Sequence, residues 1–320
     1  MSLIEEFVQA FGVWPQAVPH LPLMFDEQEM RLIVELGGRA CTPQEAAQLL
    51  DLTWKEAASF LERSYSRCIT DKTFAGGSMV YSPASFSKRL DHFAKYENWD
   101  DIPCDDRRAI DSRFLQEFIA QHRESVDRKI QGLEADNALP NDTLLLLGEV
   151  EAMLEAATDI VVQPCDCRRL HQGCDRPVEV CIWLDDGALD ALDRGHGKRL
   201  TLAEAVDLVR WADGKGLMHT SDSEWRTRGL HAICNCCACD CYPFRAALEL
   251  GSKGAWPRSR YIAMHDREKC NSCGLCVQRC YFDAFFLDPA PEQPAGKTET
   301  DVRYSPDRCW GCGLCANTCP

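Results

Sequence analysis

The C-terminal part of the chain contains two cysteine runs with the same spacing, C-x2-C-x2-C-x3-C. The first run comprises Cys270, Cys273, Cys276 and Cys280, and the second comprises Cys309, Cys312, Cys315 and Cys319, followed by Pro320. A tight turn can wrap three thiolates spaced in this way around one metal cluster. We expect the fourth cysteine of each run to begin a helix that points towards the cluster of the other run. Two matched runs are highly specific and constrain the fold of this segment strongly.

The spacing of the two runs resembles that of the bacterial two-cluster ferredoxins. The resemblance implies one [4Fe-4S] cluster on Cys270, Cys273, Cys276 and Cys319, and a second on Cys309, Cys312, Cys315 and Cys280. Gly274, Gly311 and Gly313 would keep the loops small where backbone N–H groups approach sulfur. Tyr281 stands where the family usually has proline. A pair of zinc sites is the alternative, because four thiolates also suit tetrahedral zinc.

Nine further cysteines lie in the middle of the chain, in two runs. The first run is C-x-C-x6-C-x6-C and the second is C-x-C-C-x-C-x-C, and their members are Cys165, Cys167, Cys174, Cys181, Cys234, Cys236, Cys237, Cys239 and Cys241. In an extended second run, Cys234 and Cys236 would share one face, and the doubled cysteine would turn the three later thiols to the other face. This arrangement could provide ligands for two metal centres, or it could surround a single one.

The four cysteines of the first middle run are the more regular candidate set of ligands. Arg168, Arg169 and Arg176 are available to offset the negative charge of their thiolates. Three hypotheses remain open for the middle region. They are one or two additional iron-sulfur clusters, zinc, and reduced thiols or redox-active disulfides. His171, His219 and His231 lie near these runs, but such residues are more often packing or surface histidines than ligands.

Five segments carry a wider resemblance. They are PCDCRRLHQGCDRPVEVC (164–181), KGLMH (215–219), ICNCCACDC (233–241) and the two terminal runs. Together they resemble a family of anaerobic [4Fe-4S] ferredoxin-like proteins. The resemblance covers roughly residues 160–320 and, more loosely, residues from 26 onward. It implies electron transfer to anaerobic redox enzyme systems, including corrinoid methyltransferase and heterodisulfide-reductase-type pathways.

The N-terminal half predicts three capped helices followed by a hairpin. Each helix start pairs a capping side chain with a glutamate three residues later: Asp26 with Glu29, Thr42 with Glu45, and Thr53 with Glu56. This order resembles a winged helix. DNA binding is disfavoured because Glu56 and Glu62 offset the basic residues of the third helix.

After this helix-and-hairpin region, 111–133 and 143–157 are expected to form two helices, and the leucines at 144–147 are expected in the core. Cys41, Cys68 and Cys104 lack partners at metal spacing and are expected to be buried structural cysteines.

Charge and cysteine usage restrict the partners and the compartment. The 320-residue chain carries a formal net charge of -15, which disfavours nucleic acid and favours a redox protein or enzyme with a basic docking face. The N-terminal residues lack a basic signal segment, and prolines interrupt the longest uncharged stretch. We therefore expect no membrane span, a cytoplasmic location and metal-bound cysteines in place of disulfides.

We predict an α+β protein with five segments: an N-terminal extension (1–25), a winged-helix-like domain (26–105), a helical connector (106–160), a cysteine-rich metal-binding domain (161–255) and a ferredoxin domain (256–320). A proline-rich linker, 288–297, interrupts the last segment. No nucleotide-binding or haem-attachment motif is present, which predicts an electron-transfer component with no catalytic site of its own. The alternatives are a redox-sensing regulator that uses the winged-helix-like domain and a metal-stapled scaffold.

Overall fold

A computed structural model describes residues 1–134, 138–222, 225, 229–288 and 301–320. The chain divides into two compact units that combine helices with small sheets, in agreement with the α+β prediction. The first unit comprises 1–117, 169–171 and 193–196, and the second comprises 118–168, 172–192 and 197–320. None of the described helices is both long and apolar enough to cross a membrane.

The first unit is mainly helical. Its helices are α1 (Leu3–Phe11), α2 (Leu21–Met24), α3 (Glu27–Leu36), α4 (Pro43–Leu50), α5 (Trp54–Ser66) and α6 (Phe86–Tyr96), and α7 (Cys104–Ile130) begins here. Short 3-10 turns occupy Pro15–His20 and Trp99–Asp101. Strands β1 (Thr70–Ala75) and β2 (Ser78–Pro83) form an antiparallel hairpin.

The predicted helix starts are confirmed by their hydrogen bonds. Helices α3, α4 and α5 all begin with a capping box, in which the capping side chain accepts from the glutamate backbone and the glutamate side chain accepts from the cap backbone. Gly76 and Gly77, both at positive φ, turn the chain between β1 and β2. The order of three helices and a hairpin is therefore observed, and its winged-helix interpretation stays a prediction.

The three scattered cysteines differ in burial. Cys41 and Cys68 are buried, and Cys41 belongs to the core formed by α3, α4 and α5 with Tyr81. Cys104 is exposed at the first position of α7, so the expectation of burial was wrong for this residue. The position of Cys104 relative to the other cysteines in the sequence does not indicate whether its side chain is buried.

The second unit contains a mixed arrangement of helices around one larger sheet. Its helices are α8 (Leu147–Ala156), α9 (Asp166–His171), α10 (Asp185–Asp193), α11 (Leu202–Gly214), α12 (Tyr242–Leu250), α13 (Leu275–Arg279) and α14 (Leu314–Thr318). Its strands are β3 (Thr143–Leu145), β4 (Ile160–Pro164), β5 (Glu179–Leu184), β6 (Lys198–Arg199), β7 (Met218–Ser221), β8 (Ala232–Cys236), β9 (Phe285–Asp288) and β10 (Asp301–Tyr304).

Among the described residues, the larger sheet has the order β3-β7-β8-β5-β4-β6, and each pair of neighbouring strands is antiparallel. Residues 143–145 therefore form an edge strand, which corrects the expectation of a continuous helix over 143–157. Leu144 and Leu145 are buried, so their expected place in the core is confirmed. Helix α11 starts with a capping box formed by Thr201 and Glu204, and α12 ends at Gly251 with a positive φ.

The C-terminal module consists of two short helices and a hairpin. Helices α13 and α14 lie within the two cysteine runs, and β9 pairs with β10 in antiparallel register. Cys280 and Cys319 follow these helices directly, so the expectation that they would begin a helix was wrong. The third cysteine of each run lies inside the helix instead. The predicted linker 288–297 lies, apart from residue 288, outside the described residues.

Candidate metal centres

Four cysteines from both C-terminal runs surround one cavity. The cavity has a volume of about 180 Å³, and its lining includes Cys280, Cys309, Cys312 and Cys315. Two backbone amides donate to these sulfurs, from Gly311 to Cys309 Sγ and from Ala284 to Cys280 Sγ, each over 3.3 Å. The fourth thiol of the first run thus lines the same cavity as three thiols of the second run.

Burial and mutual proximity dominate the chemistry of these thiols. Burial, reinforced by neighbouring thiolates, raises the pKa of Cys312 to about 12 and that of Cys315 to about 11. Several negative charges cannot be held together in a buried site without a cation. The protein without metal would therefore keep these thiols protonated, and the deprotonated set requires a metal centre.

Gly311 allows the second run to approach another loop closely. Its φ is +66°, and a Cβ atom there would lie 2.0 Å from the backbone oxygen of Tyr261 and 2.6 Å from Ser259 Oγ. Gly274, at φ +74° in the first run, has no atom within 4 Å of the corresponding position. Both glycines provide left-handed backbone, but only Gly311 is also required by close packing.

The first C-terminal run arranges its thiols in a more open loop. The Ser272 amide donates to Cys270 Sγ over 3.4 Å, and burial, with the charges of Cys270 and Cys273, raises the pKa of Cys276. Cys319 is exposed at the end of α14, where its amide donates to the carbonyl of Cys315 over 3.1 Å. The four thiols around the cavity, their amide donors and the close loop at Gly311 fit one [4Fe-4S] cluster.

Six cysteines of the middle region form a second thiol site, which we call the six-thiol ring. Each thiol interacts electrostatically with its two neighbours in the closed order Cys165, Cys181, Cys234, Cys236, Cys241, Cys167 and back to Cys165. The sulfurs of Cys236 and Cys241 lie 3.4 Å apart. Strand register explains part of the ring. Ile182 faces Ile233 across the antiparallel strands β5 and β8, and the same register places Cys181 opposite Cys234.

Polar groups also line the six-thiol ring. Asn141 Nδ2 lies 3.7 Å from Cys236 Sγ, and Thr220 Oγ1 lies 3.5 Å from the same sulfur. Burial and the hydrogen bond with Cys167 raise the pKa of Cys241 well above its ordinary value. Donors aimed at sulfur stabilise a thiolate or a sulfur-rich cluster, whereas six neutral thiols would gain little from them.

The remaining three middle cysteines meet a carboxylate at a separate site, which we call the Cys3Asp site. One potential ligand atom from each of Cys174, Cys237, Cys239 and Asp240 lies within 4.8 Å of the other three. Asp240 is fully buried. The buried Arg168 places Nη1 3.7 Å from Cys237 Sγ, in agreement with its expected role in offsetting thiolate charge.

The observed grouping differs in part from the one expected from the sequence. Cys234 and Cys236 share one site, as strand alternation predicts, and Cys237 and Cys239 share the other. Cys241 was expected with the latter pair but lies in the six-thiol ring. The reason is that β8 ends at Cys236 and the chain turns, with the Cys241 amide donating to the Cys237 carbonyl over 3.4 Å.

Cys174 is also regrouped. The sequence analysis placed it with the other three members of the first middle run, whereas its sulfur lies 3.8 Å from Cys237 Sγ. Helix α9 ends before Cys174, with Gln172 at positive φ, and the chain then leaves the ring. Asp240 was missed altogether, although an acidic residue between two cysteines of the second run was a visible signal.

The three histidines near the middle runs have other partners. His219 is buried, with Nδ1 2.6 Å from Asn235 Oδ1, and His171 pairs with Asp111. His231 packs edge-on against Trp183. Their described contacts are those of packing and hydrogen-bonding residues.

Several contacts join the C-terminal module to the middle region within the second unit. Tyr281, directly after Cys280, donates from its hydroxyl to the Gly216 carbonyl over 2.7 Å. It also packs against the buried cluster that contains Cys237. Asn317, between two cysteines of the second run, donates to Asp213 Oδ1 over 2.7 Å. The thiol sites are therefore parts of one packed unit.

The comparisons with known proteins agree with the C-terminal geometry. Residues 269–320 match the family model of the 4Fe-4S dicluster domain. Comparisons of the chain with curated proteins and with solved structures found no significant match. The matched segment contains all eight cysteines of the two terminal runs. The protein thus carries an iron-sulfur, ferredoxin-like domain at its C-terminal end.

Proposed function

We propose that the protein is an electron-transfer component that relays single electrons to an anaerobic redox enzyme system. The dicluster match supports iron-sulfur electron transfer in general. The observation that carries the proposal is the convergence of Cys280 with the second run around one cavity, within a unit that also holds nine further thiols. A bound [4Fe-4S] cluster supplies one-electron redox chemistry.

The chain's own residues would hold, shield and tune the C-terminal clusters. The four thiols at the cavity act as ligands, and the amides of Gly311 and Ala284 donate to sulfur, which raises a reduction potential by stabilising added negative charge. Trp310 stacks on Phe282 at 4.7 Å between ring centroids, and both line the cavity. These rings exclude water from one side of the site.

The six-thiol ring is proposed to hold a further iron-sulfur cluster. Soft thiolate ligands select iron-sulfur clusters and zinc, and six converging thiols exceed the four that one tetrahedral zinc ion takes. The contact between Asn141 and Cys236 resembles the donors that tune cluster potentials. This site would extend the electron path from the C-terminal module into the middle region.

The partner is proposed to be a redox protein or enzyme with a basic docking face. A formal net charge of -15 would steer such a partner electrostatically. The anaerobic assignment rests on the resemblance of the middle cysteine runs. A cytoplasmic location is proposed because cysteines that bind metal must stay reduced.

The redox-sensing regulator is the weaker alternative. The helix and hairpin order in the first unit favours it, but two basic side chains at the C-terminal end of α5 are engaged in ion pairs. Arg67 contacts Glu29 and Glu97, and Arg63 lies 3.9 Å from Asp26. Cations held in this way are poorly placed to contact DNA phosphates.

Metal analysis combined with potentiometry tests the proposal. Protein purified without oxygen should contain about twelve iron and twelve sulfide per chain, from three four-iron clusters. EPR-monitored titration should give one-electron reductions. Cys312→Ser and Cys236→Ser should each remove a different reducible signal, with Cys104→Ser as the exposed control. Clusters that accept no electrons would contradict the relay, and DNA binding that is sequence-specific and redox-dependent would favour the regulator.

A further inference from the structure

We propose that Cys174, Cys237, Cys239 and Asp240 bind a single tetrahedral zinc ion, separate from the iron-sulfur clusters. This assignment goes beyond the proposed electron relay, because zinc carries no electrons. It gives a fixed ligand set to three cysteines whose grouping the sequence left open, together with Asp240. Three observations support it: the spacing of the ligand atoms, the burial of the carboxylate, and the charge around the site.

The sulfur spacing matches one metal ion. In a tetrahedral site with Zn–S bonds of about 2.3 Å, two sulfurs lie about 3.8 Å apart. The sulfurs of Cys174 and Cys237 are 3.8 Å apart, and all four ligand atoms lie within 4.8 Å of one another. The spacing therefore favours a single ion.

The carboxylate spacing agrees with the same geometry. With a Zn–O bond of about 2.0 Å, a sulfur and an oxygen on one tetrahedral ion lie about 3.5 Å apart. Cys174 Sγ lies 3.5 Å from Asp240 Oδ2. The Gly173 amide also donates to this oxygen over 3.3 Å and orients the carboxylate. Among the described residues, Asp240 Oδ1 has no hydrogen-bond partner although the side chain is fully buried.

The local charge requires a cation. Three thiolates and a carboxylate carry four negative charges, and a buried carboxylate without compensation is strongly unfavourable. Arg168 is buried 3.7 Å from Cys237 Sγ and supplies one positive charge. A divalent ion supplies two more and leaves a net charge of about minus one. Zinc is the favoured ion because it accepts sulfur and oxygen ligands in tetrahedral geometry.

The site lies where the C-terminal module packs against the middle region. Cys237 belongs to a buried cluster with Val180, Ala212 and Leu217, and Tyr281 packs against that cluster. An ion bound here would connect the loop around Cys174 to the turn after β8. It would thereby hold in place the surface against which Tyr281 packs. The inferred zinc therefore has a structural role beside the electron path.

Metal analysis of matched variants tests the assignment. The variants are Asp240→Asn and Cys174→Ser, and the control is Asp175→Asn, which alters an exposed carboxylate next to Cys174 in sequence. Zinc and iron are measured per chain after anaerobic purification, and zinc K-edge absorption is recorded on the wild type. We expect one zinc per chain, with about three sulfur ligands and one oxygen ligand. Cys174→Ser should lose the zinc, and Asp240→Asn should bind it at least about tenfold more weakly.

Iron content separates this inference from the electron-relay proposal. Zinc should disappear from Cys174→Ser while iron and the EPR signals remain at wild-type levels, which also shows that the variant is folded. Wild-type protein without zinc, or a Cys174→Ser variant that loses about four iron, would overturn the assignment. An Asp240→Asn variant that binds zinc as tightly as Asp175→Asn would remove the carboxylate from the ligand set.

Discussion

The Tyr281 hydroxyl donates a hydrogen bond to the backbone carbonyl of Gly216 over 2.7 Å. Tyr281 follows Cys280, a candidate cluster ligand. It stands at the position where the ferredoxins that this run resembles usually have proline. Proline could provide neither the hydroxyl nor the aromatic ring that packs beside Cys237. The departure from the family pattern is therefore explained by attachment of the C-terminal module to the middle region.

Replacement of Tyr281 should loosen that attachment. Tyr281→Phe removes one hydrogen bond, which contributes about 1 kcal/mol, whereas Tyr281→Ala also removes the packed ring, at about 3 to 5 kcal/mol. The rate of loss of cluster absorbance in urea measures the effect. We expect the rate to rise from wild type to Tyr281→Phe and further in Tyr281→Ala. Equal rates in all three proteins would show that the contact does not stabilise the module.

Gly311→Ala should remove the second C-terminal cluster selectively. Its Cβ would lie 2.0 Å from the Tyr261 backbone oxygen, so the loop would have to move. We expect loss of about four iron per chain. Gly274→Ala is the matched control, since it has a similar positive φ but no atom within 4 Å of the new Cβ, and should cost only about 1 kcal/mol. Unchanged iron in Gly311→Ala would contradict the tight loop.

Glu97→Gln should destabilise the first unit. Both Glu97 oxygens accept from Arg89 at 2.8 Å and from Arg67 at 3.1 Å, and Arg89 is fully buried. Loss of the shared anion leaves two cations close together, which should cost about 3 to 5 kcal/mol. Hydrogen exchange of α6 followed by mass spectrometry measures it. Asp105→Asn, in an exposed ion pair with Arg108, is the control and should change protection very little.

The same carboxylate predicts an acid-sensitive contribution. Burial alone would raise the pKa of Glu97, but hydrogen bonds from His92, Arg89 and Arg67 hold it far below its ordinary value. Because the folded-state pKa is depressed, this stability is present above the unfolded pKa near 4.5 and is lost as pH falls below it. Protection of α6 should therefore decline below about pH 4.5 in wild type and much less steeply in Glu97→Gln.

His196 predicts a second pH dependence, in a higher range. Burial, reinforced by the charge of His92, lowers the pKa of His196 to about 4 from an ordinary 6.5. Folding therefore favours the neutral ring, and up to about 3 kcal/mol of stability is lost as pH falls from 6.5 towards 4. Hydrogen exchange near Ser66, whose carbonyl lies 2.6 Å from His196 Nε2, should report the loss. His196→Gln retains a donor and should show a shallower slope between these pH values.

Local features of the fold were predicted accurately because their causes are local. A capping box needs only two side chains three residues apart, and the boxes at α3, α4 and α5 all formed as expected. The edge strand at 143–145 was missed because its partner, β7, is distant in sequence. Only pairing with that strand distinguishes the short Thr-Leu-Leu segment from the first turn of a helix.

The sequence by itself determined the C-terminal chemistry. Two runs of identical spacing give eight candidate ligands, because a short loop limits which sulfurs can reach one cluster, and the dicluster match falls on that segment. The tertiary structure decided the middle region. Cys174 and Cys237 are 63 residues apart in the chain, and their 3.8 Å contact depends on a turn after β8 and on the exit of the chain from α9. Spacing determines which thiols neighbouring residues can bring together, whereas folding of distant segments determines which thiols meet.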